Sequence, residues 1–255
     1  MTALAHRFDG PDDAPVLVLS NSLGTAMALW DGVVAPLADK HRVLRYDHRG
    51  HGASGVPPGP YTVDELVADV VALVDGLGIE RFAFCGISLG GVVGMSLAAA
   101  HPARIEGLVL ACTSPRFLDA AAWLERAAIV RADGCEAIAD AVLARWLTPQ
   151  SHVEQRGVVC ELRDLLVATP REGYAGCCEA LAAFDFKERL GEVTAPTLVI
   201  AGAEDPSVSP DVVQLLVDGI PNARLAVLDG AAHLAHLERP GAFVEAVRSH
   251  LRVAA

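Results

Sequence analysis

The chain has 255 residues, 52% of them hydrophobic and 20% charged, and a formal net charge of −12. That length and apolar content suit one well-cored domain with room for an inserted subdomain, and nothing in the composition favours disorder beyond the two ends. The negative field argues against nucleic acid or an anionic membrane surface as partner, and it requires any anionic substrate to be received by a local Arg or Lys.

The first residues, MTALAHRFDGPDD, lack a charged stretch followed by an apolar one, so no signal peptide is expected. No apolar run reaches the ~18–20 residues of a membrane span. PVLVLSNS (15–22) reads as a buried strand ending in a polar loop, and HRVLRYDHRGHG (41–52) as a second strand running into a glycine-rich loop. Residues 62–77 open on Thr62 with Glu65 three positions later, a capping box. Apolar positions 63, 66, 67, 70, 71, 73 and 74 then form one helical face.

RFAFCG (81–86) predicts a third strand, LGGVVGMSLAAAHP (89–102) a helix of small residues, and IEGLVLACTS (105–114) a fourth strand. This alternation implies parallel strands buried on both faces, joined by right-handed crossovers. From about Pro115 to Arg189 the rhythm changes. About four helices are expected there, with breaks at Gly134, Pro149, Gly157, Pro170 and Gly173. Alternation resumes with a strand in 195–206, a helix over 209–219, a strand in 223–233 and a last helix from Pro240. The fold class is therefore α/β: residues 1–114 and 190–255 form the core, and 115–189 form a helical cap over the carboxyl edge of the sheet, where open α/β sheets bind ligands.

The cysteines are Cys85, Cys112, Cys135, Cys160, Cys177 and Cys178, with no CxxC pair. Such spacing predicts neither a zinc site nor a disulfide framework, but reduced, mostly buried thiols in a cytoplasmic protein. His48, Asp47 and His51 crowd one loop and read as a structural turn rather than a metal site. No phosphate-cradling motif is present and no cofactor is expected.

Gly86-Ile87-Ser88-Leu89-Gly90 is G-x-S-x-G between a predicted strand and a predicted helix. There a serine sits on a sharp, strained turn, glycines on either side remove colliding Cβ atoms, and the new helix aims its free N–H groups at the hydroxyl. A serine alcohol needs a base, and the chain order expected on such a sheet is Ser, acid, His. Asp205, just past a strand, is the acid, with Glu204 and Asp229 as competitors. His233, after the final strand, is the base, with His236 as competitor. The oxyanion donors are the backbone N–H groups of Leu89 and of Leu23 in NSLGTAMALW, with Ser22 as a near alternative.

These motifs, together with SNSLGTAMALWD, LRYDHRGHGAS, RWLTP, GYAGCCEAL, PTLVIAGAED and AAHLAHLERP, resemble the α/β-hydrolase family and, within it, the 3-oxoadipate enol-lactonases. The resemblance extends into the insert and includes Asn21-Ser22 where most of the family has His-Gly; Leu89 stands where Met is expected. It implies a small anionic lactone as substrate, opened through an acyl-enzyme on Ser88. Arg145, with Trp146 as a pocket wall, is the first choice to receive the substrate carboxylate. Arg116, Arg126 and Arg131 are rivals. General esterases, perhydrolases and C–C bond hydrolases share the triad, and a ligand receptor of the same fold remains a further reading. A serine at the elbow argues against epoxide hydrolases and dehalogenases, which need a carboxylate nucleophile. Whether the chain acts as a monomer or a homo-oligomer is open.

Overall fold

The computed structural model describes residues 2–117 and 119–254. Its strands are β1 (His6–Asp9), β2 (Val16–Ser20), β3 (Arg42–Tyr46), β4 (Phe82–Ile87), β5 (Ile105–Ala111), β6 (Thr197–Gly202) and β7 (Ala223–Leu228). Its helices are α1 (Asp31–Ala38), α2 (Val63–Gly76), α3 (Leu89–Ala100), α4 (Ala120–Asp133), α5 (Ala139–Trp146), α6 (Pro149–Glu154), α7 (Arg156–Val167), α8 (Arg171–Ala182), α9 (Pro210–Gly219), α10 (Ala235–Glu238) and α11 (Pro240–Ala254).

The sheet runs β1-β3-β2-β4-β5-β6-β7, parallel throughout except for β1, which pairs antiparallel to β3. β4 and β6 are buried along their whole length. A parallel sheet covered by helices on both faces needs such continuous apolar runs. α3 packs against β4 and β5. Its small residues allow the close approach: a Cβ at Gly94 would lie 2.9 Å from the Phe84 ring. The capping box of α2 is formed, with the Thr62 hydroxyl accepting the Glu65 N–H at 3.2 Å and the Glu65 carboxylate accepting the Thr62 N–H at 2.9 Å. Such a cap stabilises its helix by about 1 kcal/mol.

Strand order decides where the site lies. The chain adds β3 on one side of β2 and then β4 on the other, and this reversal of strand order opens a crevice at the carboxyl ends of β2 and β4. Ser20 pairs with Gly86 there, so the loop after β2 and the turn after β4 emerge side by side.

Two elements carry no expectation from sequence. β1 is a short edge strand of charged and half-exposed residues, HRFD, without alternation. α1 contains Pro36 and only two buried side chains, Val33 and Leu37.

Among the described residues between β5 and β6 lie five α-helices, more than the four or so expected, and two 3-10 turns at 135–138 and 187–192. The extra count comes from α6, a six-residue helix started by Thr148 as N-cap and Pro149 at its first position. Two expected breaks fall inside helices. Gly157 is in the first turn of α7, and Gly173 is in α8, where a Cβ would lie 1.9 Å from the Gly50 carbonyl oxygen. Gly173 is thus a close-contact glycine rather than a helix end. No described helix is long and apolar enough to cross a membrane.

Candidate active site

Ser88 caps the amino end of α3 with φ 55° and ψ −114°, a left-handed conformation that side chains rarely adopt. The turn is over-determined by its neighbours. Ser88 N–H donates to Ala111 O at 2.9 Å, and Ser88 O accepts the Thr113 hydroxyl at 2.8 Å and the Gly91 N–H at 2.9 Å. A Cβ at Gly86 would lie 2.1 Å from Gly90 O, and one at Gly90 would lie 2.2 Å from Ser20 O. Backbone strain of this kind costs on the order of 1–3 kcal/mol and persists only where packing enforces it.

The loop after β2 is fixed just as closely. Asn21 Nδ2 donates to Tyr46 O at 2.7 Å, its Oδ1 accepts the Trp30 indole N–H at 2.7 Å, and its carbonyl accepts the Gly90 N–H at 3.0 Å. The Gly24 N–H donates to Nε2 of His51 at 3.0 Å. That bond places the His51 proton on Nδ1, which faces Arg49 O at 3.1 Å. Burial keeps His51 neutral by lowering its pKa. Gly24 and Gly90 therefore have committed N–H groups, whereas those of Leu23 and Leu89 make no hydrogen bond among the described residues. Ser22, Leu23 and Ser88 all border one cavity.

His233 Nδ1 lies 2.8 Å from Asp205 Oδ2, and the other Asp205 oxygen accepts the Ser207 N–H at 2.8 Å. Both side chains are nearly inaccessible, 9% for His233 and 1% for Asp205. A carboxylate only accepts, so Nδ1 carries the proton and Nε2 is left as a base. The competitors stand elsewhere. Glu204 and Asp229 are exposed. His236 is fully buried between Trp30 and Phe243, with Nε2 3.2 Å from Leu29 O. Burial, helped by the nearby His233, pushes His236 down to about 4.

The cavity has a volume of about 630 Å³ and is bordered by Ser88 and His233 below and by cap residues above. Three expected cations, Arg116, Arg126 and Arg145, line it together with Trp146. Among the described residues no carboxylate lies within 4 Å of their guanidinium nitrogens. Arg126 lies over the Trp123 ring at 4.6 Å. Arg131 is held away from the cavity by Glu172, at 2.9 Å, and Glu179, at 2.5 Å. Sequence reasoning did not single out Cys112, which also borders the cavity; burial pushes its thiol up to about 12, so it stays protonated.

The loop carrying Asp47, His48 and His51 is absorbed by structure. Asp47 accepts the backbone N–H groups of Met27 at 2.7 Å and Ala53 at 2.9 Å. His48 Nε2 sits 3.2 Å from both Asn21 O and the Ser20 hydroxyl, and burial beside His51 pushes it down to about 3. No group of three or more metal-ligating side chains is found among the described residues.

A nucleophile on a strained turn, a carboxylate-oriented imidazole and two free N–H groups around one cavity can perform acyl transfer. Comparisons agree with that chemistry. Residues 15–240 match the family described as alpha/beta hydrolase fold. The chain is 42% identical to 3-oxoadipate enol-lactonase 2 of Acinetobacter baylyi, over 98% of this chain and 93% of that protein. It is 34% identical to 3-oxoadipate enol-lactonase 1 of the same organism, over 95% and 90%. The crystal structure of the enol-lactonase from Burkholderia xenovorans superposes with a TM-score of 0.96 at 43% identity, covering 98% of this chain and 97% of that one.

Proposed function

The chain belongs to the α/β-hydrolase family, and from that premise we propose that it hydrolyses 3-oxoadipate enol-lactone to 3-oxoadipate, with Ser88 as nucleophile, His233 as base and Asp205 as acid. The observation that carries this reading is the extent of the likeness. At 98% of the chain it includes the cap segment that faces substrate, not only the elbow shared by many hydrolases.

In this reading Ser88 Oγ attacks the lactone carbonyl while Nε2 of His233 takes its proton. Asp205 stabilises the imidazolium through Nδ1 and holds its orientation. The tetrahedral oxyanion lies against the N–H groups of Leu89 and Leu23, at the positive end of α3. Collapse breaks the ring C–O bond. The leaving oxygen departs as an enolate, a better leaving group than an alkoxide; it takes the proton held by the His233 imidazolium, which restores the base, and conversion of the resulting enol to a ketone makes ring opening effectively irreversible. Both halves of the substrate stay on Ser88 as one ester. Water, deprotonated by His233, then releases the product. These steps call on no metal or cofactor.

The substrate carries a carboxylate into a protein of net charge −12. Arg145 receives it, Trp146 walls the pocket, and Arg116 and Arg126 add positive potential to the same cavity. Residues 115–189 thus serve as the recognition cap, and residues 1–114 and 190–255 as the catalytic core.

The deciding experiment is kcat/KM for 3-oxoadipate enol-lactone against p-nitrophenyl acetate. A preference of several orders of magnitude for the lactone is expected. Comparable values would return the chain to the general esterases of its family.

A further inference from the structure

Glu238 is a buried carboxylate, 5% exposed, at the end of α10. Its Oε1 accepts three hydrogen bonds from the cap: the Thr148 N–H at 2.8 Å, the Thr148 hydroxyl at 2.7 Å and the Ser151 hydroxyl at 2.5 Å. Its Oε2 accepts the Ala232 N–H at 2.6 Å. On the other side of His233, the Leu234 N–H donates to Trp146 O of the cap at 2.9 Å. His233 is therefore flanked at both neighbouring residues, Ala232 and Leu234, by hydrogen bonds that end on, or pass to, the cap segment 146–151. That segment directly follows Arg145.

We propose that Glu238 is a positioning residue that locks cap segment 146–151 to the loop of His233, so that base orientation and cap placement are set together. The inference rests on His233 being the base proposed above. A carboxylate fits this role better than any other side chain. Each oxygen faces a backbone N–H, which only donates, and an amide has one acceptor oxygen for the two. In Glu238→Gln the NH₂ group must face either the Ala232 N–H or the Thr148 N–H, and one buried donor is orphaned. Because the two arms meet on one side chain, loosening the cap arm frees Glu238 and with it the His233 loop. A small misplacement of a base is enough to slow the chemical step while leaving the fold intact.

The test uses Glu238→Gln and the cap-side pair Thr148→Val with Ser151→Ala, which touches neither His233 nor the substrate cavity. Each is measured for kcat, KM and Tm on 3-oxoadipate enol-lactone and on p-nitrophenyl acetate. The neutral ester has no carboxylate for the cap arginines to hold, so its kcat reports the base alone. Both variants should lower kcat on the neutral ester by about 10- to 100-fold without raising its KM, and both should raise KM for the lactone.

Wild-type kcat on the neutral ester in both variants, whatever the Tm, overturns the inference. If Glu238→Gln fails to fold, the Thr148/Ser151 pair decides alone. His233→Ala is assayed alongside. If it is inactive while the latch variants are unaffected, only the latch fails. If it is active, the base assignment fails and the positioning role with it.

Discussion

Nδ1 of His233 faces Oδ2 of Asp205 at 2.8 Å, although the two residues sit on loops after different strands, β7 and β6. The bond leaves Nε2 of His233 as the basic atom beside the cavity. His236, three residues on, has its own Nε2 turned to Leu29 O and its ring packed at a tilt against Trp30, with centroids 4.8 Å apart.

His233→Ala should therefore lower kcat by about 10⁴-fold, the scale on which triad members act. His236→Phe keeps a ring between Trp30 and Phe243 and should change kcat by less than about tenfold, since it touches no reacting atom. Steady-state kinetics on either substrate checks the pair. The reverse ranking would make His236 the base.

Ser88 is held at φ 55°, so its backbone is strained whatever its side chain. Ser88→Ala should remove turnover and leave Tm unchanged, because the strain stays. Ser88→Gly should also be inactive, yet gain about 1 kcal/mol by relieving the strain, a rise in Tm of roughly 2–4 °C for a chain of this size. Calorimetry of the three proteins checks this. Equal Tm values would mean that the turn stores no strain.

The elbow was legible because its requirement is local: a serine at positive φ needs small neighbours at fixed offsets. The buried strands were legible because burial on both faces writes continuous apolar runs. Ser88, Asp205 and His233 were read from their places just after three apolar runs, which are β4, β6 and β7. β1 was not legible, since its place comes from pairing with β3 and not from its own pattern. Gly173 read as a break because nothing nearby in sequence announces that Gly50 packs against it. Glu238 was missed for the same reason, and His51 read only as part of a structural turn, without its bond to Gly24. Glu238 bonds to residues 87 and 90 positions away, and His51 bonds to Gly24, 27 positions away. The sequence narrowed the cations to four arginines, and only the fold separated Arg131 from the cavity.

Gly86→Ala places a Cβ 2.1 Å from a backbone oxygen, and backbone there has no room to yield. It should destabilise the protein by about 2–3 kcal/mol or more and lower expression. Gly157→Ala meets nothing within 4 Å in the first turn of α7 and should be neutral or stabilising by up to about 1 kcal/mol. Denaturant midpoints of both variants check the contrast.

Stability should fall on mild acidification. His236 is pushed down to about 4 and His48 to about 3 by burial. Unfolded histidines take up a proton near pH 6.5, well before these two do so in the folded state. Their contribution is thus fully present above about pH 6.5 and is lost as pH falls toward 4 and then 3, at about 1.4 kcal/mol per pH unit for each group. Tm should be flat from pH 8 to 7 and drop steeply below 6. His236→Phe removes one titrating group and should flatten that slope. An unchanged slope would show that carboxylates, not this histidine, set the acid limit.

Arg145 is one of three arginines on the cavity, and the only one carried by the helix that ends at Trp146. A guanidinium that binds a carboxylate through charge-assisted hydrogen bonds contributes about 1.5–3 kcal/mol, or roughly 10- to 150-fold in affinity. Arg145→Ala should therefore raise KM for 3-oxoadipate enol-lactone by that factor and leave p-nitrophenyl acetate nearly unchanged, because the neutral ester offers no carboxylate. Arg131→Ala provides the contrast. Its guanidinium already serves Glu172 and Glu179, so its loss should lower stability by about 1 kcal/mol with no selective effect on the lactone. Arg116→Ala and Arg126→Ala complete the series. If one of them, and not Arg145→Ala, produces the carboxylate-selective rise in KM, the anchor moves to that residue. Equal losses on both substrates for all three would mean that the cap admits the lactone by shape and leaves its charge unpaired.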